Sequence, residues 1–210
     1  MNETLTRRSF LGKTSIYGAG LSLGLSTRLP LAEAAAIKSQ EPESLSPVEW
    51  RTIEAMTARI IPSGDSPGAP DANCVNFIDK ALANEEKNAL GMIQNSVAAL
   101  NLLSKTEAGL EFWQRTPEDL DQLLIRLEDN LVENWPASAA PSAQFFGVVR
   151  VLTIMGFLAD PKYGGNRDHH GWKLAGYPGP RHHRGGYTDA QMMGEEPIIA
   201  MWESKNRTRG

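Results

Sequence analysis

The chain has 210 residues, of which 41% are hydrophobic and 22% are charged, the balance of an ordinary soluble domain. Its formal net charge of −4 becomes −4 − 2 = −6 without residues 1–34, and this acidic balance excludes nucleic acid as an expected partner. The single cysteine, Cys74, excludes an internal disulfide framework and any site built from several thiolates.

The first predicted element is a signal peptide over residues 1–34. Two adjacent arginines, Arg7 and Arg8, are followed by Phe10 and Leu11, which matches the twin-arginine consensus. The apolar stretch behind them is about twelve residues long, too short to cross roughly 30 Å of hydrocarbon. Cleavage of the Ala-x-Ala type fits after Ala34 or after Ala36. The sequence therefore predicts a periplasmic protein that engages the twin-arginine translocase.

The twin-arginine route carries folded proteins, often because a cofactor must be inserted before export. The rest of the chain has no Gly-x-Gly-x-x-Gly fingerprint, no P-loop, no haem attachment motif and no cysteine cluster. We therefore expect that the cargo needing this route is another protein bound to this chain.

Residues 35–45 are predicted to be a linker, and residues 46–159 a helical domain. Ser46-Pro47-Val48-Glu49 is a helix start with a capping box, and Pro62 stops that helix. Apolar residues at helical spacing predict three more helices. Their stripes are Val75, Ile78 and Leu82; then Leu90, Ile93, Val97 and Leu100; then Leu120, Leu123, Leu127 and Leu131 behind a cap at Thr116.

Residues 145–159 are apolar nearly all round and predict a central buried helix, since fifteen residues with Arg150 among them do not suit a membrane span. No alternating strand pattern occurs, so the predicted fold class is mostly α. Residues 160–210 are predicted to be an irregular segment, rich in glycine, proline and aromatic residues. Such a segment cannot build its own core, and we expect it to lie across the helical domain or across a partner.

The sequence contains four histidines, in two adjacent pairs at positions 169–170 and 182–183. With Asp168 they allow a metal site, and hence a free-standing periplasmic metal-dependent hydrolase, as one alternative function. Trp172 and Tyr177 allow a second alternative, a sugar-binding module that stacks its ligand. The interpretation that the sequence favours is surface or interface histidines beside arginines. Cys74 is interpreted as a buried thiol, with a disulfide to a partner as the alternative.

Two stretches of sequence carry a resemblance to a known family. The first runs from Ile60 to Ala69 and continues at Phe77-Ile78-Asp79; the second runs from Asp160 to Asp168, then Gly171-Trp172-Lys173 and Gly176 to Gly179. In these residues the chain resembles the gluconate 2-dehydrogenase subunit 3 family, from about Ser46 to Gly179.

The resemblance implies a small, non-catalytic subunit of a membrane-associated dehydrogenase complex. The implied partners are a large flavoprotein of the glucose-methanol-choline type, which holds FAD and oxidises a sugar or polyol, and in some complexes a multihaem cytochrome c. The implied role is that of a chaperone that assists maturation and lends its signal peptide to the flavoprotein. No catalytic, cofactor or metal residue is implied in this subunit. The residues interpreted as scaffold and partner interface are Tyr163, Gly164, Gly165, Asn166, Arg167, Gly171, Trp172, Pro178 and Gly179.

Overall fold

The computed structural model describes residues 42–180 and 186–201, all within a unit that spans residues 41–210. These described residues form seven α-helices and no strand, which confirms the mostly α fold class. None of these helices is both long and apolar enough to cross a membrane. The helices are α1 (Pro47–Ile60), α2 (Cys74–Ala83), α3 (Leu90–Ala108), α4 (Pro117–Glu128), α5 (Ser142–Leu158), α6 (His170–Leu174) and α7 (Asp189–Met192).

The predicted caps start their helices as expected. At the start of α1 the Ser46 hydroxyl accepts from the Glu49 amide, and the Glu49 carboxylate accepts from the Ser46 amide at 2.7 Å. At the start of α4 the Thr116 hydroxyl accepts from the Asp119 amide at 3.2 Å. Each cap satisfies amides that have no partner inside the helix, and so fixes where the helix begins.

Helix α5 lies at the centre of the domain and packs against α1, α2, α3 and α4. Its side chains Phe145 and Val149 are completely buried in the main core cluster. The prediction of a buried helix holds for this side only. Val151, Ile154, Met155 and Leu158, on the opposite side of α5, are exposed.

The stripe predicted for α4 is one residue too long. Leu120, Leu123 and Leu127 are buried as expected, but Leu131 is 67% exposed. The helix ends at Glu128, and Asn130 takes a left-handed conformation with φ 55°, which stops the helical periodicity before Leu131.

The segment that leads into α1 is held by a buried carboxylate on α2. Asp79 is 1% exposed and accepts hydrogen bonds from the amides of Glu43, Ser44 and Leu45 at 2.7 to 2.9 Å. The hydroxyl of Ser44 also donates to the Asp79 carbonyl at 2.8 Å. The end of the predicted linker is therefore bound to the domain through one side chain.

Candidate functional site

The segment that follows α5, residues 160–180, lies against the earlier helices, and we call it the brace. The Asp160 carboxylate caps a 3-10 turn at Pro161–Tyr163. Gly164 ends that turn with φ 96°, and its carbonyl accepts a hydrogen bond from Asn76 Nδ2 at 2.7 Å. Because Asn76 lies on α2, the start of the brace is bound to a helix 88 residues earlier in the chain.

Asn166 is the most completely buried polar residue of the brace, at 0% exposure. Its amide donates to the Gly156 carbonyl at 2.7 Å, and its Nδ2 donates to the Ala159 carbonyl at 2.8 Å. Its Oδ1 accepts from the Gly171 amide at 2.8 Å. One side chain thus joins the end of α5 to the start of α6 and leaves no buried amide group without a partner.

Trp172 packs on this chain's own helices. It is 6% exposed, and its Nε1 donates to the Leu158 carbonyl at 2.6 Å. The ring of His169 stacks on the indole at 5.3 Å between centroids, and the ring of Tyr177 meets it edge-on at 5.2 Å. The indole N–H satisfies a carbonyl at the end of α5, where no helical donor remains.

Two glycines allow the brace to approach α5 this closely. A Cβ at Gly165 would overlap the Gly156 carbonyl, and a Cβ at Gly171 would overlap the Phe157 carbonyl. The neighbours that a side chain would meet are therefore backbone atoms, which cannot rotate away. Glycine is required at both positions by close packing of the brace on α5.

Arg167 ties the brace to the loop between α1 and α2. Its Nε donates to the Asp71 carbonyl at 3.0 Å, and its amide donates to the Ala72 carbonyl at 3.1 Å. Arg167, in the second stretch that carries the family resemblance, therefore binds residues that lie between the two parts of the first stretch, about a hundred residues earlier in the chain.

The loop that receives Arg167 is organised around the Asp71 carboxylate. Its Oδ2 accepts from the Ser63 hydroxyl at 2.5 Å and from the Gly68 amide at 2.8 Å. These two hydrogen bonds, with a smaller contribution from nearby His170, hold the pKa of Asp71 below its ordinary value. Asp71 thus stays ionised and serves as an acceptor that holds the loop in shape.

The residues predicted as partner interface fall into two groups by exposure. Tyr163 is 46% exposed, and Arg167 is also exposed. The ammonium group of Lys162 lies 4.6 Å from the centroid of the Tyr163 ring. Contact of this segment with a partner stays a prediction. The remaining predicted residues are buried or half-buried in the chain itself: Gly164, Gly165, Asn166, Gly171, Trp172, Pro178 and Gly179.

Sequence reasoning missed the residues that receive the brace. Asn76 and Asp71 were given no role, and Asp79 appeared only as part of the resemblance. The available signal was a polar residue at a buried position: Asn76 and Asp79 flank Phe77 and Ile78 on α2, and both are less than 5% exposed. Buried polar groups need partners, so such positions mark contacts between distant segments.

The family described as gluconate 2-dehydrogenase subunit 3 matches residues 47–179, from the first residue of α1 to the last but one residue of the brace. The match covers the greater part of the chain and includes both halves of the contact at Arg167. This chain belongs to that family. No curated protein and no solved structure matches this chain.

In the subunit 3 fold, the described histidines do not belong to a group of three metal-ligating side chains. His169 lies against Trp172, and its Nε2 is buried without a hydrogen-bond partner among the described residues. In residues 42–180 and 186–201 no three His, Cys, Asp or Glu side chains come close enough to hold a metal ion. His182 and His183 lie outside the described residues, as do the export residues Arg7, Arg8, Phe10 and Leu11.

Cys74 of the subunit 3 domain is buried, as the sequence interpretation expected. It begins α2 and packs in a small apolar cluster with Ala69, Ala72 and Phe157. Removal from water raises the pKa of its thiol to about 12, because burial disfavours the thiolate. The thiolate is the reactive form, so this thiol is shielded from disulfide exchange in the folded domain.

Proposed function

We propose that this chain is the small, non-catalytic subunit of a gluconate 2-dehydrogenase-type complex. In this proposal it binds a large flavoprotein subunit that holds FAD, assists its maturation, and carries it to the periplasm through the twin-arginine translocase. A multihaem cytochrome c is the third component where the complex has one. The observation that carries the proposal is the family match over residues 47–179.

The hydrogen bonds of three polar side chains, one in the brace and two outside it, support a non-catalytic role. The Asp71 carboxylate accepts hydrogen bonds from Ser63 and Gly68 within its own loop. The Asp79 carboxylate is occupied by three backbone amides, and Asn166 by two backbone partners. These polar side chains hold the fold, whereas a catalytic group must face the reacting atoms.

The export half of the proposal is supported by the sequence before the domain. A twin-arginine motif precedes a chain whose motifs predict no cofactor of its own, and a folded passenger with FAD would explain why this route is used. The exposed residues Tyr163 and Arg167 of the brace are proposed to contact that passenger. Tyrosine and arginine are enriched in protein interfaces relative to the rest of the surface.

The export proposal is tested by replacing Arg7 and Arg8 with lysine. We expect both this chain and the flavoprotein subunit to stay in the cytoplasm, because in this proposal the flavoprotein depends on the signal peptide of this chain for export. The measurement is the share of each subunit, and of dehydrogenase activity, in the periplasmic fraction. Arg28→Lys, in the same N-terminal segment but outside the motif, is the matched control and should export normally.

Wild-type dehydrogenase activity in the periplasm of the Arg7→Lys, Arg8→Lys strain would reject the export role. It would leave the family membership untouched, because that rests on residues 47–179. A flavoprotein that is exported but inactive when this chain is deleted would instead favour a role in maturation alone.

A further inference from the structure

The solvent-facing side of α5 is apolar along most of its length. Val151, Ile154, Met155 and Leu158 recur at the i, i+3, i+4, i+7 spacing of one helix face and are 53%, 45%, 45% and 44% exposed. We call these four residues the α5 face. The one charged residue of α5, Arg150, lies beside this face and is paired with Glu128 at 2.5 Å.

Helix α4 of the same domain does not expose such a face. The exposed positions of α4 are Pro117, Glu118, Asp119 and Gln122, the polar pattern that water favours. Four half-exposed aliphatic side chains on α5 together offer roughly 300 Å² of apolar surface, the size at which a patch on a monomer is often functional.

The residues that follow the described part of the chain do not match the α5 face in composition. The last described residue is Met201, whose amide donates to the Asp160 carboxylate at 3.3 Å, two residues beyond the end of α5. The next nine residues, 202–210, include one apolar side chain, Trp202, among charged and polar ones. A segment of that composition gains little by covering four aliphatic side chains.

A second copy of the chain is a poor occupant because each copy carries a net charge of −4 − 2 = −6 over residues 35–210, so two copies repel each other. A membrane surface is disfavoured because helices that lie in it carry basic residues, and α5 has one arginine, which is paired.

A larger protein partner matches the surface better. The α5 face ends at Leu158, whose carbonyl binds Trp172, so the face lies next to the brace. The brace adds exposed Tyr163, Leu174 and Tyr177, at 46%, 54% and 38%. A partner that covers the α5 face together with these three side chains would bury roughly 600 Å² of this chain, which approaches the about 800 Å² that each partner buries in a standard interface.

We propose that the α5 face docks on an uncharged, apolar surface of the catalytic flavoprotein subunit. This inference rests on the proposed function and adds to it the surface that makes the contact. The transfer of apolar side chains out of water is favourable, and no charge among them has to be desolvated. Such side chains therefore suit the fully buried centre of an interface. The exposed polar groups of the brace then lie at the rim.

The test uses an introduced cysteine, because the chain's own single cysteine does not react in the folded subunit. Because Cys74 is buried and its pKa is raised to about 12, a cysteine introduced at position 155 is the one that a maleimide modifies in the native subunit. Met155→Cys should react in the free subunit and at least about tenfold more slowly in its complex with the flavoprotein, because modification follows the fraction of open sites. Leu102→Cys, on α3 and 64% exposed, is the control and should react equally in both.

A second measurement removes the apolar character of the face. Ile154→Glu should weaken flavoprotein binding at least about tenfold, with the melting temperature of the free subunit within a few degrees of wild type. Leu102→Glu, the same kind of change on α3, should leave binding unchanged. Equal modification of Met155→Cys in free and bound subunits, or wild-type affinity of Ile154→Glu, overturns the proposal.

Two further outcomes overturn it by naming another occupant. One is a wild-type dimer in sedimentation that Ile154→Glu converts to a monomer while flavoprotein binding is unchanged. The other is flotation of the wild type with phosphatidylethanolamine–phosphatidylglycerol vesicles, lost in Ile154→Glu with flavoprotein binding unchanged. A wild-type subunit that binds no flavoprotein rejects the proposed function itself, whereas binding with position 155 left open rejects only the α5 surface.

Discussion

At the scale of single residues, the stability of the brace depends on positions where one atom decides the packing. Gly171 has no room for a side chain beside the Phe157 carbonyl, and its amide is held by Asn166 Oδ1 at 2.8 Å. Asn166 itself has φ 45°, a left-handed conformation that asparagine adopts more readily than most residues. Backbone geometry therefore decides which residue types fit at these two positions.

Gly171→Ala is expected to destabilise the domain by about 3 kcal/mol, because its methyl group would force the brace away from α5. That loss lowers the melting temperature by roughly 10 °C in a domain of this size. The measurement is thermal unfolding followed by circular dichroism. Gly91→Ala, where an added Cβ meets nothing within 4 Å, is the control and should be neutral or slightly stabilising. Equal melting temperatures for Gly171→Ala and wild type would contradict the close packing described for this position.

At the scale of elements, α5 and the brace form one structural unit. The indole of Trp172 closes the end of α5 by binding the Leu158 carbonyl, and Asn166 binds the carbonyls of Gly156 and Ala159. The last turn of a helix has carbonyls without helical donors, and here the brace supplies these donors. The brace thereby gains hydrogen bonds that offset the entropy lost on ordering an aperiodic segment.

Trp172→Ala is expected to cost about 3–5 kcal/mol of folding stability, since it empties a buried aromatic site. Trp172→Phe keeps most of the ring contact and loses the bond to the Leu158 carbonyl, so it should cost about 1–2 kcal/mol. Melting temperature and affinity for the flavoprotein are measured on both variants. A Trp172→Ala subunit with unchanged stability and a weakened complex would show that the indole acts as a partner anchor, in conflict with the packing described above.

At the scale of the whole molecule, the described part of the domain combines buried polar side chains that are bound within the chain with an exposed apolar surface on α5. The buried polar groups Asp79 and Asn166 are satisfied inside the chain, and the α5 face is left exposed to solvent. A subunit with this distribution of surface is suited to holding another protein, and its family is described as a subunit of a dehydrogenase.

The isolated subunit is expected to be colourless and to oxidise no sugar or polyol. The sequence has no dinucleotide fingerprint, haem attachment motif or cysteine cluster, so we expect the cofactor to belong to the partner. Visible absorption spectra of the purified subunit and of its complex test this expectation, the complex being the positive control for the flavin band. A stoichiometric flavin or haem band in the isolated subunit would refute it.

The helices were predictable from the sequence alone because their signals are local. The capping box at Ser46 and Glu49, the cap at Thr116, and apolar stripes such as Leu90, Ile93, Val97 and Leu100 act within a few residues of the chain. The family resemblance came from other residues, in the loop after α1 and in the brace, and the family match over residues 47–179 confirms it.

Contacts between distant segments were decided only by the tertiary structure. That Arg167 binds the loop at Asp71, that Asn166 binds the end of α5, and that Asp79 holds the chain before α1 are consequences of which segments meet. The local sequence does not show which distant segments come into contact. It also does not show which side of α5 stays exposed. Its all-round apolar sequence predicted burial on every side, but the other helices and the brace cover only part of its circumference, and this geometry leaves the α5 face exposed.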